Sequence, residues 1–197
     1  MQLPSSLIYS LQSIKGFDET AFINIHQSGE QVTSIRLNPL KSNDDPNRNS
    51  EIVNRQSQIP WSSNGYYLQS RPSFTLDPLF HAGTYYVQEA SSMFLEQAVK
   101  QTTDISKPLL VLDLCAAPGG KSTLLQSIIS KESLLVSNEV IQSRVNILKE
   151  NLIKWGSSNV IVTNNDPKDF TKLSGLFDVV VIDAPCSGSG LFRRDPE

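Results

Sequence analysis

The stretch LLVLDLCAAPGGKSTLLQSIISK, residues 109–131, changes its pattern halfway along. Leu109 to Leu114 is an apolar run interrupted only by Asp113, the composition of a strand buried on both faces of a parallel sheet. Pro118-Gly119-Gly120 then makes a turn, after which Leu124, Leu125, Ile128 and Ile129 recur on one face of a helix. Downstream, LLVSN (134–138), NVIVT (159–163) and FDVVVIDAP (177–185) repeat the strand pattern. Between the first two, Ile141, Val145, Leu148 and Leu152 return at helical spacing. Strand, helix, strand, helix, strand, strand predicts a doubly wound, mostly parallel α/β sheet. Crossovers in such a sheet are right-handed, and ligands bind beyond the carboxyl ends of its strands.

Upstream the pattern differs. Leu7, Leu11 and Ile14, then Phe22, Ile23 and Ile25, carry helical spacing, and TSIRLNP (33–39) reads as a short strand. KSNDDPNRNSEIVNRQSQ (41–58) is polar, contains Pro46 and reads as a loop. Residues 60–88 hold Trp61, Tyr66, Tyr67, Phe74, Phe80, Tyr85 and Tyr86, a density expected of core. The expected division is a small α+β N-terminal domain over 1–72 and a cofactor-binding domain over 73–197, its sheet incomplete at the C-terminal end.

Bulk composition excludes several classes. With 39% apolar and 19% charged residues the chain is an ordinary globular one, and its net charge of −3 makes no electrostatic case for nucleic acid. Two cysteines, Cys115 and Cys186, make no disulfide framework, and no Cys/His cluster has zinc spacing, so no metal is expected. The N-terminus lacks the pattern of a secretory signal, and no apolar window has the length of a membrane span. A cytoplasmic location is the expectation.

Four strand ends are expected to converge on one crevice. They carry Asp113-Leu114-Cys115-Ala116-Ala117-Pro118-Gly119-Gly120-Lys121, Asn138-Glu139, Asn165-Asp166 and Asp183-Ala184-Pro185-Cys186. Glu139, at the end of the second strand, suits both hydroxyls of a ribose, and Asp166 suits an exocyclic adenine amine. A phosphate-binding P-loop needs glycine five positions before Gly120, where Cys115 stands, and a dinucleotide turn needs three spaced glycines where only Gly119 and Gly120 occur. S-adenosyl-L-methionine remains, with Lys121 facing its carboxylate and Asp113 or Asp183 its ammonium.

VLDLCAAPGGKST (111–123) and DVVVIDAPCSGSG (178–190) resemble the first and fourth motifs of the Sun/Fmu-type (NOL/NOP/Sun family) RNA (cytosine-5) methyltransferases, which include bacterial 16S ribosomal RNA enzymes. The resemblance extends through SIRLNPLK (34–41), PW and GYYL (60–68), FTLDPLFHAGTYYVQEASSMFLE (74–96) and FRRDPE (192–197). It implies a Rossmann-like S-adenosylmethionine-dependent methyltransferase fold and an N-terminal RNA-binding appendage. It also implies cofactor contacts from Cys115, Ala116, Ala117, Pro118, Gly119, Gly120, Lys121, Glu139, Asp166 and Asp183, and methylation of cytosine in RNA, ribosomal RNA being the expected partner.

Cytosine C5 becomes nucleophilic when a thiolate adds to C6, and loss of the C5 proton after methyl transfer expels the thiol. The base must leave its stack to be reached. Asp183 and Cys186 are the expected catalytic pair, Asp183 on the N3 or amino edge and Cys186 over the ring. In the Sun/Fmu type the attacking thiol belongs to a later Thr-Cys pair, while the Pro-Cys thiol assists release of the product. Neither cysteine here follows a threonine, so the chain alone is expected to be inactive, with Cys186 as the fallback attacker. A non-catalytic, truncated relative that binds RNA or cofactor is the alternative. His81 is expected to be structural, and Arg193 and Arg194 are expected either to bind phosphate or to make a solvated surface.

Overall fold

A computed structural model of the chain describes residues 3–29, 32–41 and 55–184. The described residues fall into two compact units, one within residues 3–32 and one of Thr33–Ala184. In the first, α1 (Ser5–Leu11) and α2 (Glu19–Ser28) form the two helices that the Leu and Phe spacings predict. Asp18 caps α2 by accepting from the Ala21 N–H, and Gly29 ends it in the left-handed region.

The second unit opens with an antiparallel sheet of β1 (Thr33–Leu37), β2 (Arg55–Gln58), β3 (Gly65–Leu68) and β4 (Tyr85–Val87), in the order β2-β3-β1-β4. Here the polar 41–58 stretch differs from expectation: residues 42–54 lie outside the described ones, but 55–58 pair with β3. An edge strand needs no apolar face, and Gln56, Ser57 and Gln58 are exposed, so backbone bonds to β3, with Gln58 Nε2 donating to Ser63 O (3.0 Å), make the strand. Residue 72 falls between β3 and β4 of this one sheet. Ile35, Leu37, Leu68, Phe74 and Tyr85 form its core, with Tyr66 and Phe80 packed against them, so much of the aromatic stretch is core. A short helix α3 (Pro78–His81), capped by Asp77, precedes β4, and α4 (Leu95–Thr102) leads into the larger layer.

That layer is a parallel sheet of β5 (Leu110–Asp113), β6 (Leu134–Asn138), β7 (Val160–Thr163) and β8 (Val179–Val181), ordered β7-β6-β5-β8. Helices α5 (Gly120–Ile128) and α6 (Gln142–Trp155) make the first two crossovers. The strand order reverses beside β5, so the turn after β5 opens at the switch point where doubly wound sheets bind ligands. Val111, Leu125, Ile129, Leu135 and Val181 are packed with Val99 of α4, and Leu148 and Leu152 of α6 are packed with Ala116 and Ala117 of the turn. Each fully buried leucine of this set is worth roughly 2 kcal/mol of burial.

Three side chains of β1 and its extension join the two layers by donating. Arg36, 1% exposed, reaches α5 and stacks 4.6 Å from the ring centre of Trp155. Asn38 Nδ2 donates to Gly83 O (2.9 Å) and Trp155 O (2.8 Å), and Lys41 Nζ donates to Ala82 O (2.8 Å) and to Lys154 O. The last carbonyls of α6, which no helical N–H satisfies, thus find partners in the neighbouring layer. The approach is tight enough to dictate glycine at position 83, where φ is +69° and a Cβ would lie 2.0 Å from Lys154 O. On the far side, Glu96 accepts from Ser62 Oγ, Ser63 N, Ser63 Oγ and Lys100 Nζ. Burial alone would raise its pKa, but these bonds outweigh it and hold the carboxyl below its ordinary range.

Asn38→Ala leaves two buried carbonyls unpaired and is expected to cost about 2–4 kcal/mol in urea unfolding. A loss under about 1 kcal/mol would show that this junction holds without it.

Candidate functional site

Every described strand end of the parallel sheet contributes to one rim. After β5 the chain turns through Leu114–Gly119, held by Leu114 N donating to Val181 O (2.9 Å), Ala116 N to Asn138 O (2.8 Å) and Gly119 N to Ala116 O (2.8 Å). Gly119 has φ +110°, and a Cβ there would meet Leu148 Cδ1 at 3.3 Å; one on Gly120 would meet Tyr86 at the same distance. The left-handed backbone at Gly119 favours glycine there, and at Gly120 the Tyr86 ring would have to shift by a few tenths of an ångström to admit a Cβ. Two further donors fix the carbonyls of the turn: Asn151 Nδ2 to Pro118 O (2.8 Å) and Arg144 Nη2 to Ala117 O (2.6 Å).

Glu139, after β6, is buried at 2% exposure rather than open to solvent. Its Oε1 accepts from Ile141 N (2.9 Å), its Oε2 accepts from Ala117 N (3.2 Å), and Arg144 Nη1 stands 3.6 Å away. It therefore ties the second strand end to the first. Asp166, after β7, is exposed and caps the 3₁₀ helix Pro167–Leu173, its Oδ1 accepting from Lys168 N (2.8 Å). Asp183, after β8, is 61% exposed and pairs with Lys121 from the first turn of α5. Asp113, Cys115, Lys121, Glu139 and Asp183 thus share one neighbourhood, while Asp166 stands on the rim without a bond to any of them. Cys186 lies outside the described residues.

Asp113 is the most deeply placed of these groups, with no exposure. Its Oδ2 accepts from Ser122 Oγ (2.7 Å), which itself accepts from Ser137 Oγ (2.9 Å), and its Oδ1 has no hydrogen-bond partner. Burial raises its pKa to about 6, and Ser122 and Lys121 only partly oppose that rise. Burial also raises the Cys115 thiol, with the negative charges of Glu139, Asp113 and Asp183 adding to the effect. A thiol so placed stays protonated near neutral pH and is a poor nucleophile.

Sequence reasoning missed Arg144, Ser122, Ser137 and Tyr86. A signal existed for Arg144: a cation in the first turn of a helix opposes the helix dipole and calls for a local anion, which Glu139 supplies. The serines offer no such signal, since a buried serine, in helix α5 or in strand β6, looks like any small residue. Among the described residues no group of three or more His, Cys, Asp or Glu side chains is placed to hold a metal, and no helix is long and apolar enough to cross a membrane.

An orphaned buried carboxyl oxygen, three further carboxylates and one lysine at a switch point suit a ligand bearing hydroxyls, an amine, an ammonium and a carboxylate. The raised pKa of Asp113 has a sign. The folded chain holds this proton to about pH 6 while the unfolded chain releases it near pH 4, so this group's contribution is fully present below pH 4 and lost as pH rises through 6. Asp113→Asn removes that dependence. The variant is expected to gain about 2 kcal/mol on wild type between pH 4 and pH 7 in parallel urea titrations, and a constant difference would refute the assignment.

Residues 101–197 match the family described as 16S rRNA methyltransferase RsmB/F, and residues 3–90 match the N-terminal domain of 16S rRNA methyltransferase RsmF. The ribosomal RNA small subunit methyltransferase F of Shewanella woodyi is 36% identical over 173 residues, which cover 83% of this chain and 35% of that protein. Its counterpart in Pectobacterium atrosepticum is 39% identical over 145 residues, covering 70% of this chain and 29% of that one. The chain spans about a third of the length of these relatives. A solved methyltransferase homolog protein from Pyrococcus horikoshii superposes with a TM-score of 0.72 at 28% identity, over 98% of this chain and 67% of that one. The Rossmann-like methyltransferase fold expected from the strand and helix order is the fold found. Two adjoining domains of one enzyme type account for residues 3–90 and 101–197, and the chain belongs to the RsmB/F family of 16S rRNA methyltransferases.

Proposed function

We propose that this chain carries the S-adenosyl-L-methionine pocket of an enzyme that methylates C5 of cytosine in ribosomal RNA. The observation that carries the reading is the convergence of Asp113, Lys121, Glu139 and Asp183 on the switch point of the parallel sheet. Family membership supports ribosomal RNA as the substrate and, with it, a cytoplasmic place of action.

The exposed Lys121–Asp183 pair suits the amino-acid end of the ligand. A ligand carboxylate takes Lys121 and a ligand ammonium takes Asp183, so each charge exchanges one partner for another and neither is left alone. Cys115 to Gly120 line the approach with backbone, Glu139 accepts from the ribose hydroxyls, and Asp166 accepts from the adenine amine. The cofactor, when bound, supplies an electrophilic methyl group. Asp183 also borders the position of the extruded cytosine, where it accepts from the amino edge or stabilises a protonated N3. Cys186 follows three residues later and acts on the same ring, in release of the product. Cys115, its thiol kept protonated, takes no part in attack.

Calorimetry with S-adenosyl-L-methionine tests the pocket. The chain is expected to bind it, and Lys121→Ala and Glu139→Ala each to weaken binding by about tenfold or more, the loss of one charge-assisted contact. Absence of heat with wild type defeats the reading. Release of tritium from ribosomal RNA labelled at cytosine C5 tests the chemistry. With neither cysteine in a Thr-Cys pair, the 197-residue chain is expected to bind cofactor without releasing tritium. Release that Cys186→Ser abolishes would make Cys186 the attacker instead.

A further inference from the structure

We infer that Arg36 is the positioning residue of the turn read above as the cofactor site: from the antiparallel sheet its guanidinium fixes the first turn of α5, and through it Gly119 to Lys121. The inference rests on that reading of the turn.

An arginine offers five N–H donors. Arg36 presents Nε to Gln88 Oε1 (2.9 Å), Nη1 to Ser127 Oγ (3.0 Å) and Thr123 O (3.3 Å), and Nη2 to Thr123 Oγ1 (2.6 Å) and Gly120 O (3.2 Å). Four of the five acceptors belong to α5, and three of those to its first turn. The Thr123 hydroxyl that accepts from Arg36 stands 2.9 Å from Gly119 O and 3.1 Å from Gly120 O, so the guanidinium reaches the turn through that hydroxyl as well as directly. On the other side of Gly120 stands the Tyr86 ring, 3.3 Å from where a Cβ would lie. The turn is held between a strand of the antiparallel sheet and a donor beneath it, and Lys121 leaves the helix from that point.

A role confined to joining two layers does not account for these contacts. None of the acceptors is a carboxylate, and burial pulls the guanidinium's pKa below its ordinary value, with the charges of Tyr86 and Glu96 working against that shift. An apolar side chain of similar volume would join two layers without desolvating a charge. What an apolar side chain cannot do is specify the direction of a helix's first turn, which a rigid planar fork does. Lysine, a point charge on a flexible stem, cannot replace it.

Asn38 provides the control, because its side-chain amide, one residue past β1, donates to Gly83 O and to Trp155 O at the far end of α6. S-adenosylhomocysteine affinity and thermal midpoint are to be measured for the wild-type chain, Arg36→Gln, Asn38→Ala and Thr123→Val. The expected result is a loss of affinity of about tenfold or more in Arg36→Gln, with Asn38→Ala within about twofold of wild type despite its lowered midpoint. Affinity that follows the midpoint alike in both variants, or wild-type affinity in Arg36→Gln, overturns the inference. If Arg36→Gln does not fold, Thr123→Val decides, since it removes one acceptor and the hydroxyl link to the turn: weakened binding supports the inference and unchanged binding overturns it. Failure of the wild-type chain to bind brings down the cofactor reading and this inference with it, whereas wild-type binding with an indifferent Arg36→Gln brings down the inference alone.

Discussion

A guanidinium at 1% exposure with no carboxylate in contact has to be met by dipoles on every side, and the backbone around Arg36 is arranged to do so. The carbonyls that meet it are those of the helix that opens the parallel sheet's first crossover. Asn38 and Lys41 extend the same row of donors to the end of the second crossover helix. Three side chains from six residues of sequence thereby tie both helices to the antiparallel sheet. Of the three, Arg36 is the one whose bonds reach the turn after β5.

Within the site the carboxylates divide by solvation. Asp113 is buried, half satisfied and pushed toward its neutral form. Glu139 is equally buried but accepts two backbone N–H groups and lies beside Arg144, so it spans two strand ends. Asp183 and Asp166 remain in contact with water. One rim therefore presents a carboxyl inclined to protonation, a carboxylate locked into the fold, and two that can change partners without a large desolvation cost.

How far the residues alone disclose this varies with range. The parallel sheet was legible because LVLD, LLVSN and VIVT are apolar runs and the intervening leucines keep helical spacing, both local signals. Strand β2 was not legible, because RQSQ on a sheet edge is stabilised by backbone bonds and carries no apolar alternation. At the site, the rim positions of Lys121, Glu139 and Asp183 follow from where strands end. Their mutual arrangement does not, since Glu139 turns inward to Ala117 and Asp166 caps its own helix. Arg36 lay within a stretch that resembles the family, yet its hydrogen-bond partners are 52 to 91 residues away, and no local pattern encodes them.

Those separations bear on the order in which the molecule assembles. The strand–helix–strand units of the parallel sheet bring together residues about two dozen positions apart, as between Leu110 and Leu134, whereas Asn38 must find Trp155 across 117 residues and Arg36 must find Thr123 across 87. Closing a longer loop costs more chain entropy and slows folding. Short-range units gain their contacts first, and the junction closes over a sheet already formed. The turn after β5 accordingly reaches its working shape late, at a step that requires both ends of the described chain from β1 to α6 to have been made. Synthesis of the N-terminal strand long before its partners leaves Arg36 solvated until the helices arrive, which spares the nascent chain an uncompensated buried charge.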